Sequence, residues 1–287
     1  MAELIDGRKI AREMRVDIKQ KLDALRGSGE FPPKLVSVTI GKVEDARLYA
    51  KVQESAAEEI GVEFDVYELD EDVGQGTLLG IIEKLNTDKT VTAIIIQQPF
   101  PAALEWDKIV FAIAPEKDAE GIHPWNLGRI FRRDADIVPC TPGAVMKILR
   151  AERIDLYGRD VVIVGHSAIV GKPLSLMMLN EFATTSVCHI GTAEKGDITA
   201  YTKRADVLVV AVGSAGMVKG DWVRKGAVVI DVGINNVPGG IVGDVDFDDV
   251  FPKVKKITPV PGGVGPITVS ILMRNVLRAY RMQHEKV

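Results

Sequence analysis

The sequence predicts a mixed α/β protein in which an N-terminal α/β domain precedes a Rossmann-like, doubly wound domain. Segments with the alternating or fully apolar pattern of strands are interspersed with segments of helical periodicity along most of the chain. An apolar strand at 160–164 leads directly into a glycine-containing loop and then into a helix rich in Leu and Met. That order of strand, glycine loop and helix is typical of a nucleotide-binding βα unit.

The N-terminal half alternates helices and strands. Apolar residues at helical spacing predict a helix over 8–26, and the glycines and prolines of 27–33 end it. The elements predicted next are a strand at 35–40, a helix at 43–60, a strand at 63–69, a helix near 76–86 and a strand at 91–96. The last strand is apolar on both faces, as expected for a parallel sheet covered on both sides.

The second half begins after an irregular stretch between about 115 and 143, which is rich in Pro, Asp and Gly and predicts a domain boundary near 140. The elements predicted beyond it are a helix at 143–152, strands at 160–164, 185–188, 207–211 and 227–231, and a final helix over about 267–282. We therefore expect one domain over 1–139 and a dinucleotide-binding domain over 140–266. We expect the C-terminal helix, 267–287, to pack back on the first domain.

The composition is that of an ordinary globular protein. Of the 287 residues, 46% are hydrophobic and 26% are charged, and the formal net charge is -4, which argues against a disordered, fibrous or nucleic-acid-binding chain. Cys140 and Cys188 are far apart in the sequence, so neither a disulfide framework nor a cysteine metal site is expected. The sequence lacks the pattern of a signal peptide or a membrane span, and we expect a cytoplasmic protein with no membrane partner.

The glycine loop after 160–164 has two interpretations. Gly165 and Gly171 lie where free backbone N–H groups and a helix dipole favour a phosphate, although their spacing differs from the usual dinucleotide-binding pattern. The alternative is a plain tight turn between strand and helix. No Asp or Glu is present at 188–192, after the next strand, where NAD-specific sites usually place one.

A set of motifs extends in a fixed order over nearly the whole chain. They are Tyr49, Ile96–Pro101, Lys117–Gly121, Pro139–Pro142, Gly165–Pro173, Asp231–Asn235, Gly243–Phe247 and Pro259–Thr268. Together they resemble the methylenetetrahydrofolate dehydrogenase/methenyltetrahydrofolate cyclohydrolase family. The resemblance implies a homodimer whose subunit has a folate-binding domain and a Rossmann domain across a cleft. It also implies hydride transfer from the methylene bridge of a tetrahydrofolate substrate to NADP, with NAD as the alternative cofactor.

The resemblance also implies the site residues. The catalytic residues are Tyr49, Gln53, Gln97 and Glu120. The substrate-binding residues are Asp118, Pro261, Gly262 and Gly263. The cofactor-binding residues are Thr141, Gly165, His166, Ser167, Ile169, Val170, Gly171, Ile190, Gly213, Gly233 and Ile234. In this interpretation Tyr49 stacks on the pterin, and Gln97 and Glu120 orient it.

Purely structural roles are the alternatives for several of these residues. Tyr49 is equally consistent with a core aromatic, Gln97 with a strand cap, and the turn at 261–263 with a plain loop. No metal site is expected, because His123, His166 and His189 are scattered in the sequence.

Four positions depart from the family pattern that the resemblance implies, namely Ala46, Gln53, Glu120 and Ala144, and two of them bear directly on the reaction. Gln53 lies four residues after Tyr49, where the family has the lysine that drives the cyclohydrolase step, and an amide does not titrate near neutral pH. Glu120 replaces an aspartate and places its carboxylate one methylene further out. We therefore expect methylene oxidation, with the hydrolysis weak or lost. The alternatives are a full bifunctional enzyme in which Glu120 or Lys51 activates water, and a non-catalytic paralogue that binds folate or nucleotide.

Overall fold

The computed structural model describes residues 2–26 and 32–284. Its helices are α1 (Gly7–Arg26), α2 (Glu44–Ile60), α3 (Gln75–Thr87), α4 (Trp106–Ala112), α5 (Pro124–Arg132), α6 (Cys140–Ala151), α7 (Gly171–Asn180), α8 (Ile190–Glu194), α9 (Ile198–Thr202), α10 (Phe247–Val250) and α11 (Val264–His284). Its strands are β1 (Glu3–Leu4), β2 (Lys34–Ile40), β3 (Glu63–Leu69), β4 (Ala93–Ile96), β5 (Asp160–Val164), β6 (Thr184–Cys188), β7 (Val207–Val210), β8 (Val228–Asp231), β9 (Asn235–Val237), β10 (Gly240–Val242) and β11 (Lys256–Ile257).

The described residues form two compact units. The C-terminal unit contains the residues up to Ala11 together with Pro139–Thr268. The N-terminal unit contains Arg12–Val138 and the residues from Val269 onward. None of the described helices has the length and apolar character needed to cross a lipid bilayer.

The C-terminal unit is built on a parallel sheet with the strand order β1-β11-β8-β7-β5-β6. The apolar strands β5, β7 and β8 lie in its centre, and side chains from all three belong to a buried core that also contains Val250 and Val254. The chain runs from β5 to β6 on one side and then returns to place β7 on the other side of β5. In open α/β sheets, this reversal opens a crevice at the carboxyl ends of the two strands, where ligands bind.

The N-terminal unit contains a smaller parallel sheet with the order β3-β2-β4. Strands β2 and β4 are buried and pack against Leu78 and Ile82 of α3. The later turns of α11 also belong to this unit, where the side-chain amide of Asn275 donates to the carbonyl oxygens of Ala119 and Val138, both at 2.9 Å. The N–H of Ala119 donates to the carbonyl oxygen of Ile94 on β4 at 3.2 Å, so the sheet and this helix both hold the segment that carries Asp118 and Glu120.

The structure confirms the mixed α/β fold class and the predicted long elements, whose ends shift by about three residues at most. The prediction of an irregular stretch over 115–143 was wrong in part, because it contains α5 and the start of α6. Helix α5 has a recognisable start, since Pro124 occupies its first turn and the His123 side chain accepts from the N–H of Trp125 at 3.0 Å. Helix α4 and the short elements β1, β9, β10 and β11 were not predicted, because two to seven residues carry little periodicity.

Candidate functional site

A buried amide pair lies at the carboxyl end of the N-terminal sheet. Gln97 follows β4 directly, and Gln53 lies on α2. The Gln97 Nε2 group donates to Oε1 of Gln53 at 2.6 Å and to the hydroxyl of Ser37, on β2, at 2.9 Å. Since both amide hydrogens are used, Gln97 keeps its carbonyl oxygen as the acceptor for a further partner. Gln53 is fully buried, and its own Nε2 has no hydrogen-bond partner among the described residues.

The segment between α4 and α5 positions two carboxylates with different surroundings. Asp118 is buried and accepts from the backbone N–H groups of Gly121 and His123 and from the side-chain amide of Asn126, at 2.8–2.9 Å. These internal donors make Asp118 a residue that fixes the conformation of the segment. Among the described residues, Glu120 has no such set of donors. Burial and the neighbouring charge of Asp118 raise the pKa of Glu120 to about 8, so it carries a proton at neutral pH.

Helix α2 presents different side chains at different depths. Tyr49 is 41% exposed, whereas Gln53, one turn later, is fully buried. Lys51, the other residue suggested as a water-activating group, lines a separate cavity of about 640 Å³ with Thr39, Arg47 and Glu54. The structure therefore gives Lys51 a different environment from that of the buried amide pair.

The glycine loop of the C-terminal unit is built by close backbone approach. Gly165 follows β5 with a φ of 124°, and a Cβ added there would overlap the carbonyl oxygen of Ala211 at the end of β7. A Cβ at Gly171, the first residue of α7, would overlap the carbonyl oxygen of Gly165. Both glycines are thus required by packing, and they bring the N-terminus of α7 to the crevice between β5 and β7.

Two histidines lie together beside this loop. His166 follows Gly165, and His189 follows β6, the neighbouring strand. Their ring centroids are 5.1 Å apart and both residues are exposed. These two histidines are therefore close in the structure although they are far apart in the sequence. Among the described residues, no group of three His, Cys, Asp or Glu side chains is arranged to hold a metal ion.

A small cavity of about 180 Å³ lies at the carboxyl end of β8 in the same unit. It is lined by Asp231, Gly233 and Ile234 and by the Pro-Gly-Gly loop. Arg8, at the start of α1, also lines it. Pro261, Gly262 and Gly263, which the sequence suggested as substrate-binding residues, therefore share one cavity with two suggested cofactor-binding residues, Gly233 and Ile234.

The remaining suggested cofactor residues lie in the C-terminal unit at several positions. Thr141 is in the first turn of α6, and Gly213 follows β7. Ile190 begins α8 and is 70% exposed, while Ile169 is 41% exposed. The hydroxyl of Ser167 accepts from the N–H of Val170 at 3.1 Å, and this hydrogen bond between two residues of the glycine loop stabilises its conformation.

Comparison with known proteins gives matches over both units. Residues 5–120 match the family described as tetrahydrofolate dehydrogenase/cyclohydrolase, catalytic domain. Residues 139–284 match its NAD(P)-binding domain. The chain belongs to the tetrahydrofolate dehydrogenase/cyclohydrolase family.

Relatives in this family are similar over almost their whole length. The bifunctional protein FolD of Exiguobacterium sibiricum is 42% identical over 97% of this chain and 99% of that protein. FolD of Aquifex aeolicus is 41% identical over 98% of this chain and 96% of that protein.

Solved structures of the family have the same fold. The bifunctional FolD enzyme of Campylobacter jejuni superposes with a TM-score of 0.94 at 40% identity, covering 98% of this chain and 100% of that one. FolD of Trypanosoma brucei, solved with NADP and an inhibitor, gives 0.94 at 35% identity, covering 99% of each chain. The family match and these structures establish the second unit as an NAD(P)-binding domain.

Several residues of the candidate site were not singled out from the sequence. Ser37 and Asn126 complete the networks around Gln97 and Asp118. Arg8 lies more than 200 positions from the Pro-Gly-Gly loop whose cavity it lines. Asp231 was noted only as part of a motif, although an Asp at the end of a buried strand, followed by glycine, is a signal for a carboxylate that holds a turn.

Proposed function

We propose that this chain oxidises 5,10-methylenetetrahydrofolate to 5,10-methenyltetrahydrofolate with NADP as the hydride acceptor. The observation that carries the proposal is the amide pair Gln53–Gln97, buried next to a half-exposed Tyr49, in a chain whose other unit is an NAD(P)-binding domain. The named relatives are bifunctional FolD proteins, and this supports the same substrate here.

The N-terminal unit supplies complementary groups for a pterin. The exposed ring of Tyr49 offers a face for stacking, which favours a flat aromatic partner. The free carbonyl oxygen of Gln97 and the carboxyl group of Glu120 accept hydrogen bonds from ring N–H and amino groups. Hydride transfer requires aligned carbon atoms more than a titrating side chain, so the change from lysine to Gln53 leaves this step feasible.

The C-terminal unit has the backbone features that fit a dinucleotide. The glycine loop at Gly165 and Gly171 leaves no room for side chains next to the N-terminus of α7, as a site for a pyrophosphate requires. NADP, when bound, supplies the carbon that accepts the hydride. The protein's own residues hold the phosphate groups and shield the nicotinamide from water.

A second candidate function adds hydrolysis of the methenyl product to 10-formyltetrahydrofolate. The relatives named above are called bifunctional, and this favours the two-step enzyme over the loss of hydrolysis that Gln53 suggests. Water addition to the methenyl carbon requires a proton acceptor. Gln53 cannot accept one, whereas Glu120, with its pKa near 8, is a carboxyl group matched to that task.

One preparation assayed for both reactions tests these functions. The first assay follows NADPH formation with methylenetetrahydrofolate, and the second follows the loss of methenyltetrahydrofolate above its rate in buffer. NADPH formation without enzymatic hydrolysis supports a dehydrogenase alone, and both activities support the bifunctional enzyme. Binding of folate and NADP without either reaction would instead indicate a non-catalytic paralogue and overturn the proposal.

If Glu120 is the proton acceptor, hydrolysis depends on pH in a defined direction. The carboxylate form accepts the proton, so the enzymatic rate should rise as pH approaches about 8 and then level off. Glu120→Gln should remove that rise while oxidation retains a measurable rate. A pH-independent hydrolysis in the wild-type chain would exclude Glu120 from this role.

The assembly and location follow from the family resemblance and remain proposals. We propose a homodimer, since twofold dimers are the commonest soluble assembly, acting in the cytoplasm. Sedimentation at micromolar concentration should give a dimer, and a monomer at that concentration would contradict the proposal.

A further inference from the structure

Two buried carboxylates in the C-terminal unit are surrounded by backbone N–H groups. Asp231, the last residue of β8, accepts from the N–H groups of Gly233, Asp244 and Val245 at 2.9–3.0 Å. The Asp244 side chain is fully buried. It accepts from the N–H groups of three consecutive residues at 2.7–3.0 Å, namely Val212, Gly213 and Ser214.

The two carboxylates are connected to each other. The backbone N–H of Asp244 donates to Asp231, so Asp231 fixes the segment from which the Asp244 side chain projects. Asp244 also accepts from the side-chain amide of Asn235, on β9, at 2.9 Å. The loops that follow β7 and β8 are therefore held by one connected set of hydrogen bonds.

The glycines of these loops confirm how closely the carboxylates are packed. A Cβ added at Gly233 would overlap the carboxyl group of Asp244, and a Cβ at Gly243 would overlap that of Asp231. The neighbouring loops have no space for a larger side chain at either position. Glycine is thus needed at both because a carboxylate lies against the backbone.

The loop that Asp244 holds lies at the carboxyl ends of the parallel strands, where ligands bind in such sheets. Val212–Ser214 follows β7, and β7 and β5 are the two strands between which the strand order reverses. Consecutive backbone N–H groups normally form a binding site for an external anion. Here the chain's own Asp244 occupies that site, so the N–H of Gly213 is not available to a cofactor phosphate. The loop serves as a fixed wall rather than as a phosphate ligand.

We propose that Asp231 and Asp244 are positioning residues for the dinucleotide, which hold the loops after β7 and β8 in the conformation that receives the cofactor. This inference rests on the proposed function, because it needs a nicotinamide cofactor in the C-terminal unit. Asp231 also lines the cavity at the end of β8 with Gly233 and Ile234. Neither carboxylate needs to contact the cofactor for this role.

Asp244→Asn is the direct test. The four donors around Asp244 are satisfied by two carboxylate oxygens, and an amide keeps one acceptor oxygen and turns an NH₂ group toward the N–H donors of the loop. Hydrogen bonds to a charged group are the stronger class. We expect the dissociation constant for NADPH, measured by its fluorescence, and the KM for NADP to rise at least about tenfold.

Matched variants separate positioning from a general loss of stability. Asp249→Asn removes a carboxylate that accepts from the backbone N–H of Gly220 at 2.7 Å, in the same unit and further along the chain than the Val212–Ser214 segment that Asp244 holds. It should leave both constants unchanged. Gly233→Ala keeps every charge but displaces the Asp244 carboxylate, and it should weaken NADPH binding as Asp244→Asn does. The KM for methylenetetrahydrofolate should stay within about twofold in Asp244→Asn and Asp249→Asn.

The outcomes distinguish this inference from the proposed function. If Asp244→Asn lowers the thermal midpoint but leaves NADPH binding unchanged, the carboxylate is purely structural and the inference is overturned, while the proposed function stands. If the KM values of both substrates rise equally in Asp244→Asn and Asp249→Asn, positioning is likewise excluded. If the wild-type chain binds no NADPH, the proposed function itself fails, and the inference fails with it.

Discussion

The two units of this chain fix their sites in different ways. In the C-terminal unit the site is shaped by the backbone, because glycines at Gly165, Gly171 and Gly233 allow strands, loops and carboxylates to approach closely. In the N-terminal unit the site is shaped by side chains, because Gln53, Gln97 and Glu120 project from an ordinary helix, strand end and loop. The glycine positions of the C-terminal unit cannot hold a larger residue. The side-chain positions of the N-terminal unit can hold a residue of different chemistry without a change of fold.

This difference bears on the two positions where the resemblance predicts a departure from the family. The resemblance implies a lysine at the position of Gln53 and an aspartate at that of Glu120, and the fold superposes on a relative with a TM-score of 0.94. The Oε1 atom of the buried Gln53 amide accepts from Gln97, which offsets part of the cost of burying the amide, while its Nε2 has no partner among the described residues. Substitutions that alter the reaction are therefore expected in the N-terminal unit, and substitutions that alter folding are expected in the C-terminal loops.

The largest effect is expected from Gln53→Lys. A lysine in this desolvated position titrates where an amide does not, and general acid/base assistance is worth about 10²- to 10⁴-fold. Hydrolysis of methenyltetrahydrofolate should therefore rise by about that factor relative to the wild-type chain, while the far-UV circular dichroism spectrum stays the same.

Gln98→Lys is the matched control, because Gln98 is exposed beside Gln97 and receives the same change in charge. It should leave hydrolysis unchanged. If Gln53→Lys gives no gain because the wild-type chain already hydrolyses quickly, the proton acceptor lies elsewhere, and Glu120 becomes the residue to substitute.

The next effect is on folding, through Gly165→Ala. The φ of 124° and the overlap with Ala211 combine backbone strain with a steric clash, so we expect the free energy of unfolding in urea to fall by about 3 kcal/mol. Gly158→Ala provides the comparison, since Gly158 has a φ of 67° but no atom within 4 Å of an added Cβ. It should cost about 1 kcal/mol. Equal losses would mean that strain alone, without the close approach, fixes the glycine loop.

The sequence was sufficient to predict the fold class and the longer helices and strands. Strands such as β5, with five residues of which four are buried, have enough apolar pattern to be recognised. The sequence did not predict contacts between residues that are far apart along the chain. Gln97 meets Gln53 and Ser37 across 44 and 60 positions, and no local pattern states which atom of an amide faces which partner. The pairing of His166 with His189 likewise depends on the adjacency of β5 and β6.

A smaller effect concerns Glu120 and stability. Its pKa is raised from 4.5 to about 8, so the folded chain binds more protons than the unfolded chain between those values. Stability from this group is therefore present at low pH and is lost as pH rises from about 4.5 to about 8. Glu120→Gln should match the wild-type chain near pH 5 and exceed it by about 1 kcal/mol at pH 8, after allowance for solvent screening. Urea unfolding at both pH values measures this, with exposed Glu13→Gln as the control; an equal difference at both pH values would contradict the shift.

The smallest expected effect is on the choice of cofactor. The 2′-phosphate that distinguishes NADP from NAD is usually held by charge-assisted hydrogen bonds from Arg or Lys. Here the exposed pair His166 and His189 lies at the ends of β5 and β6 instead. A histidine ring offers single N–H donors and lacks the fork of five donors that a guanidinium presents to a phosphate. We therefore expect the ratio of kcat/KM for NADP to that for NAD to be only about fivefold to tenfold.

Substitution of the pair sharpens that expectation. His166→Arg should raise the ratio, because a guanidinium holds a phosphate through charge-assisted hydrogen bonds, whereas His166→Asn should lower it. His284→Asn, on α11 in the N-terminal unit, is the control and should leave the ratio unchanged. A preference of about 100-fold or more that His166→Asn leaves unchanged would show that the histidine pair does not set cofactor choice. Selectivity for NADP over NAD would then arise from the backbone of the C-terminal unit, which also shapes the rest of its site. Backbone geometry, rather than side-chain chemistry, would in that case determine which cofactor this unit binds.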